Sequence, residues 1–110
     1  MERYRVSFAN RTGDDLRDVA LYIATRLSAP RAAAKKVKTI RETISRNLSF
    51  MPQKYRLIDN PYLASMGLRM MNVESRIAFF SIDEKTKTVI VRRIIHSRRD
   101  WLTILLEDEP

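Results

Sequence analysis

Two apolar stripes set close together in the chain constrain this sequence more than any other feature. Leu16, Val19, Ala20, Ile23, Ala24 and Leu27 recur at i, i+3, i+4, i+7, i+8 and i+11, and Ala33, Val37, Ile40, Ile44 and Leu48 follow at heptad-like spacing. Each set lies along one face of an α-helix. Between them Ser28 and Pro30 supply a stop and a start, because proline is tolerated in a first helical turn and breaks an interior. Two amphipathic helices on so short a link must pack as an antiparallel hairpin.

The surface for that hairpin to cover comes from strands. Tyr4, Val6 and Phe8 alternate with Arg3, Arg5 and Ser7, a half-buried strand ending at Asn10. Thr12 is the expected cap of the first helix, with Asp15 three positions on near the positive end of its dipole. Phe50-Met51-Pro52 ends the second helix, and residues 52–67 show no clear period beyond a short extended piece at Tyr55 to Ile58. From Leu68 the chain reads LRMMNV, RIAFFSI and TVIVRRII, three strands joined tightly at Asn72 to Ser75 and by a polar connection at Asp83 to Thr88. Ile77 to Phe80 is apolar at every position, as a central strand covered on both faces would be. Asp100 then caps a short closing helix with Trp101, Ile104 and Leu105, and the last four residues, EDEP, read as a solvated tail. The order predicts an α+β fold: β-α-α-β-β-β with a short C-terminal helix, its helical hairpin packed on a mostly antiparallel sheet, as a single domain over 1–110.

Charge narrows the partner. The 21 Lys+Arg against 13 Asp+Glu give +8, which favours a polyanion, an acidic protein or an anionic surface. Much of the excess sits on the second helix, where Arg31, Lys35, Lys36, Lys38, Arg41 and Arg46 face Glu42 alone; Lys35, Lys38 and Arg41 are candidate substrate-binding residues. The aromatic share of 8% is too low for an extended base-stacking platform. Absence of cysteine excludes thiol catalysis, disulfides and thiolate zinc sites, and a single histidine weakens any other metal site, so no metal is expected. The start, MERYRVSFAN, holds no apolar core of signal-peptide length, and no run approaches the roughly 18 apolar residues of a spanning helix. The expected compartment is the cytoplasm, with no membrane contact.

Arginine inside strands is the chemical signal. Arg69, Arg76, Arg92 and Arg93 are followed by His96, Arg98 and Arg99. A guanidinium is poorly placed in a sheet unless its head reaches water or an anion, and its planar fork bridges two phosphate oxygens. Arg69 and Arg76 flank the tight turn, so their side chains are expected to converge on one sheet face, while Arg92, Ile94 and His96 are expected to share one face of the last strand. Several cations meeting there would bind an RNA backbone and stabilise the extra charge of a pentacoordinate phosphorane. The alternatives are structural: Arg69 and Arg76 as solvated edge charges against aggregation, His96 as a strand-end residue rather than a proton carrier. Arg92 and Arg93 read as edge charges, and Trp101 as core.

The order of elements, the strand GLRMMNV, the run RIAFFSIDE and the ending VRRIIHSRRDW resemble the RelE/ParE superfamily of bacterial type II toxins over nearly the whole chain, most sharply from Gly67 to Trp101. The resemblance implies a toxin neutralised by a cognate antitoxin in a toxin–antitoxin hetero-oligomer. In the RelE branch the toxin enters the ribosomal A site and cuts mRNA with no metal or cofactor, the ribose 2′-hydroxyl attacking the neighbouring phosphate. On that pattern Arg76 opens the strand RIAF as a catalytic arginine, and Arg69 takes a basic strand position held by lysine in RelE. Arg99, or Arg98 with the gap placed differently, matches the arginine that contacts the scissile phosphate. His96 is the candidate general base or acid. Two departures stand out: Gly67 replaces a second strand lysine, and the tyrosine of the RelE closing segment has no counterpart, Trp101 or Leu105 lying there. The ParE branch, which poisons DNA gyrase and is not known for nuclease activity, commonly carries histidine before two basic residues. The expected function is a ribosome-dependent mRNA endonuclease, with gyrase inhibition as the alternative.

Overall fold

The computed structural model describes residues 3–108. Strand β1 (Arg5–Phe8) leads into the hairpin of α1 (Asn10–Arg26) and α2 (Pro30–Leu48). A 3-10 turn (Pro52–Lys54) and the short α3 (Pro61–Ser65) precede β2 (Arg69–Val73), β3 (Arg76–Asp83) and β4 (Thr88–His96), and α4 (Trp101–Glu107) closes the chain. The strands order as β1-β4-β3-β2, with β1 parallel to β4 and the other pairs antiparallel. The expected fold is therefore the observed one. β4 lies inside the sheet because β1 covers its far edge.

The two faces of the sheet are buried differently. On one, Leu16, Val19 and Ile23 of α1 and Ile40, Ile44 and Leu48 of α2 pack over Ala78, Phe80, Val89, Val91 and Ile94. On the other, Ile77, Phe79 and Ile95 lie under Ile58, Leu63, Leu68 and Leu105. Ile77 to Phe80 is buried throughout, as its unbroken apolar run requires.

Local chemistry departs from expectation at the start of the first helix and in the central loop. Ala9, not Thr12, occupies the cap, because the Ala9 N–H is already bonded to the Val91 carbonyl at 2.9 Å and the chain turns there. Thr12 sits fully buried inside the first turn, its hydroxyl donating to the Ala9 carbonyl at 2.6 Å. Ser28 ends α1 in the left-handed region (φ 50°), and Pro30 opens α2 as expected. The stretch read as aperiodic holds two helical pieces: Pro52 starts the 3-10 turn, and the Asn60 side chain accepts from Leu63 N–H at 3.0 Å ahead of Pro61. The extended piece shrinks to an isolated bridge between Leu57 and Arg69.

Candidate functional site

The site is shaped by a bulge in β4. Phe79 pairs with Arg93 but Phe80 pairs with Val91, so Arg92 is the extra residue and the side-chain alternation of the strand shifts phase. Val91 and Ile94 consequently face the helical hairpin together. Arg92 goes to the opposite side, its Nε donating to the Ser81 hydroxyl at 3.2 Å. The expectation that Arg92, Ile94 and His96 share a face thus fails at Arg92.

Just past the bulge the partner strand runs out, since β1 ends at Phe8 opposite Val91. Asp15 fills the gap: its Oδ2 accepts from Ile94 N–H at 2.8 Å, and both oxygens accept from the Arg93 guanidinium at 2.9 and 3.0 Å. The other end of that guanidinium donates to both oxygens of Asp108 at 2.8 and 2.9 Å. Arg93 is 6% exposed, so the edge-charge reading is wrong for it. Its burial opposes the charge, and the hydrogen bonds it donates to Asp15 and Asp108 more than offset that, holding the guanidinium above the usual arginine range. Asp108 is likewise no solvated tail; Glu109 and Pro110 lie outside the described residues. Asp15 serves this pair rather than the helix dipole.

Beyond Arg93 the open end of the sheet and α1 enclose a cleft of about 500 Å³. Arg76 and His96 face each other across β3 and β4. The turn after β4 folds back through Ser97 N–H to the Ser75 carbonyl at 2.8 Å and Arg99 N–H to the His96 carbonyl at 3.1 Å, which brings Arg99 to the rim. From α1, Asp18 and Tyr22, one turn apart on the same flank of Val19, form the facing wall. His96 Nδ1 accepts from Arg98 N–H at 3.1 Å, which leaves the proton of the neutral ring on Nε2. Among the described residues the side chains of Arg76, Arg99 and Asp18 have no hydrogen-bond or ion-pair partner.

Three of the four expected catalytic residues, Arg76, His96 and Arg99, therefore line one cleft. Arg69 does not join them. It pairs with Phe80, on the same sheet face as Arg76 but four residues farther along β3, about 13 Å away at strand spacing. There its guanidinium donates to the carbonyls of Tyr55 and Gln53 at 2.6 and 3.4 Å, which pins the loop before α3. Antiparallel pairing puts residues that flank a turn near each other only if they adjoin it, and Arg69 begins its strand. Arg98 is exposed and gives the site a backbone N–H, not its side chain. Lys35, Lys38 and Arg41 are exposed on α2 outside the cleft, Arg41 lying over the Phe8 ring at 5.1 Å. Sequence reading missed Asp15, Asp18 and Tyr22, although their spacing of three and seven continues the Val19 stripe at its polar margin.

A family model described as the ParE toxin of type II toxin-antitoxin system, parDE, matches residues 6–101. This chain belongs to the ParE toxin family. It is a type II toxin of the RelE/ParE superfamily, as the resemblance implied. The ParE fold is borne out by solved structures: the chromosomal ParDE toxin–antitoxin system from P. aeruginosa is 20% identical with TM-score 0.69, covering 86% of this chain and 96% of that one. The RelBE2 toxin–antitoxin complex from Mycobacterium tuberculosis is 22% identical with TM-score 0.62, covering 87% and 93%. Among curated proteins, none matches this ParE-family chain significantly. Among the described residues, no helix is long and apolar enough to cross a membrane.

Proposed function

We propose that this toxin acts by binding DNA gyrase and blocking its supercoiling, and that a cognate antitoxin neutralises it in a hetero-oligomer. The observation that carries the choice of target is Arg69. A RelE-type phosphate site needs its strand cation beside Arg76 and Arg99, and Arg69 is instead held by the Tyr55 carbonyl at the other end of the strand. The closing helix offers no tyrosine to that site, only Trp101 packed on Phe79 with ring centroids 5.3 Å apart. The family match points the same way.

The antitoxin reading is supported by both solved relatives being toxin–antitoxin systems. It also explains apolar side chains left in solvent, Leu21 on α1, Leu27 just past its end and Leu106 on α4. A partner segment that folds as it binds can cover such separated patches.

The test is a supercoiling assay with the full chain, run beside translation in extracts. Inhibited supercoiling with intact translation, reversed by the protein encoded in the adjoining reading frame, is the expected result. Cuts in ribosome-bound mRNA with unimpaired gyrase would overturn it. That second reading, an mRNA endonuclease, is favoured by one observation, the convergence of Arg76, His96 and Arg99 on one cleft. It requires cuts that Arg76→Ala abolishes.

A further inference from the structure

The cleft gathers uncommitted polar groups from three elements. Arg76 and Arg99 are unpaired cations there, and His96 keeps Nε2 free because Nδ1 is engaged by the Arg98 N–H. Opposite them, Asp18 is an exposed, unpaired carboxylate, and Tyr22 presents a ring that is 53% exposed. The remaining carboxylate, Asp15, is neutralised by Arg93 and by Ile94 N–H, so it does not repel an anion. Unpartnered, convergent polar groups in a preformed cleft mark a ligand site.

The arrangement has two halves of opposite character. On the sheet side, Arg76 and His96 are cross-strand neighbours, their Cβ atoms roughly 5 Å apart, with Arg99 beside them. Two guanidinium forks and an imidazole N–H suit a phosphate. On the helix side, Asp18 and Tyr22 are one turn apart on α1, about 5–6 Å between Cβ atoms. Arg26 sits over one face of the Tyr22 ring at 5.9 Å, which leaves the other face as a stacking surface. A carboxylate at the edge of a stacked base selects the base that offers two adjacent donors and no intervening acceptor. Guanine does, through N1–H and its 2-amino group; adenine, cytosine and uracil each place an acceptor next to their donor. The volume of about 500 Å³ lies in the range of small-ligand pockets, roughly 300–1,000 Å³.

We propose that the cleft binds a guanine nucleotide, with phosphate held by Arg76, His96 and Arg99, the base stacked on Tyr22, and its donor edge read by Asp18. The proposal does not depend on gyrase being the target. The nucleotide is either free or the guanine of a single strand.

The experiment measures binding of GMP, AMP, CMP, UMP and unphosphorylated guanosine to the full chain. GMP is expected to bind tighter than AMP by about tenfold or more, the discrimination one good bidentate contact supplies. Asp18→Asn should bring the GMP-to-AMP ratio close to one; as Asp18 is exposed, this variant folds. Arg76→Ala and Arg99→Ala should weaken GMP and AMP by equal factors and leave guanosine unaffected. Tyr22→Leu should weaken every nucleotide, and Tyr22→Phe should not. Equal affinity for GMP and AMP, a preference that survives Asp18→Asn, or no nucleotide binding would each overturn the proposal. Guanine-containing RNA and DNA tetranucleotides identify the source: a strand that binds more tightly than GMP assigns the site to that nucleic acid, and parity with GMP assigns it to the free nucleotide.

Discussion

Arg93 and Asp15, 78 positions apart in the chain, meet through two hydrogen bonds of 2.9 and 3.0 Å with their side chains only 7% and 8% exposed. Through the same guanidinium, Asp108 at the end of α4 is tied to the start of α1. One residue thus holds the first and last helices against the sheet.

Removing either partner leaves a buried charge uncompensated. Arg93→Ala and Asp15→Ala are each expected to destabilise the protein by about 3–5 kcal/mol in urea denaturation. The double replacement Arg93→Met with Asp15→Leu should lose clearly less than the sum of the singles. Single losses under about 1 kcal/mol would mean that the pair is solvated rather than buried.

The closing helix depends on its cap. Asp100 accepts from Thr103 N–H at 3.3 Å and from the Thr103 hydroxyl at 2.7 Å. Asp100→Ala should cost about 1 kcal/mol. Trp101, the sole tryptophan, packs on Phe79, so its emission should redden as α4 loosens, while amide exchange quickens in α4 ahead of β3. Unchanged exchange in α4 would assign its stability to Leu105 packing alone.

Glu84 should shape the acid limb of stability. Gln53 and Tyr4 each donate to its carboxylate at 2.7 Å, Gln53 having the larger effect, and these bonds hold it below its ordinary value of 4.5. A carboxyl depressed in the folded state stabilises above its unfolded pKa and loses that contribution as pH falls through the folded one. Melting temperatures measured from neutral pH downward should therefore fall below about pH 4.5 more steeply in the native chain than in Glu84→Gln. Parallel curves would show that the network is too exposed to matter.

Arg69 separates architecture from function. Its guanidinium holds the Tyr55 and Gln53 carbonyls and lies away from the cleft. Arg69→Ala is expected to lower stability by about 1.5–3 kcal/mol, the range for a hydrogen bond to a charged group, with growth arrest on induction retained. A variant that melts like the native chain but no longer arrests growth would return Arg69 to the functional surface.

The sequence by itself determined the elements, their order and their buried faces. The stripes at Leu16 to Ile23 and Ala33 to Leu48, the alternation at Tyr4 to Phe8 and the apolar run Ile77 to Phe80 are periodic, and burial of one face produces that periodicity directly; Leu27, expected on the first stripe, lies past the end of α1 and is exposed. The grouping of Arg76, His96 and Arg99 was also legible, because all three follow from strand register and a turn of a few residues. Tertiary structure decided the rest. The bulge at Arg92 shifts the strand phase by one residue, so alternation read across it sends Arg92 to the wrong face and makes the buried Arg93 look like an edge charge. Asp15, Asp108 and Arg69 acquire their roles from partners 78, 15 and 14 positions away. No local pattern encodes such pairs, since a charge beside an apolar stripe reads the same whether water or a distant guanidinium receives it.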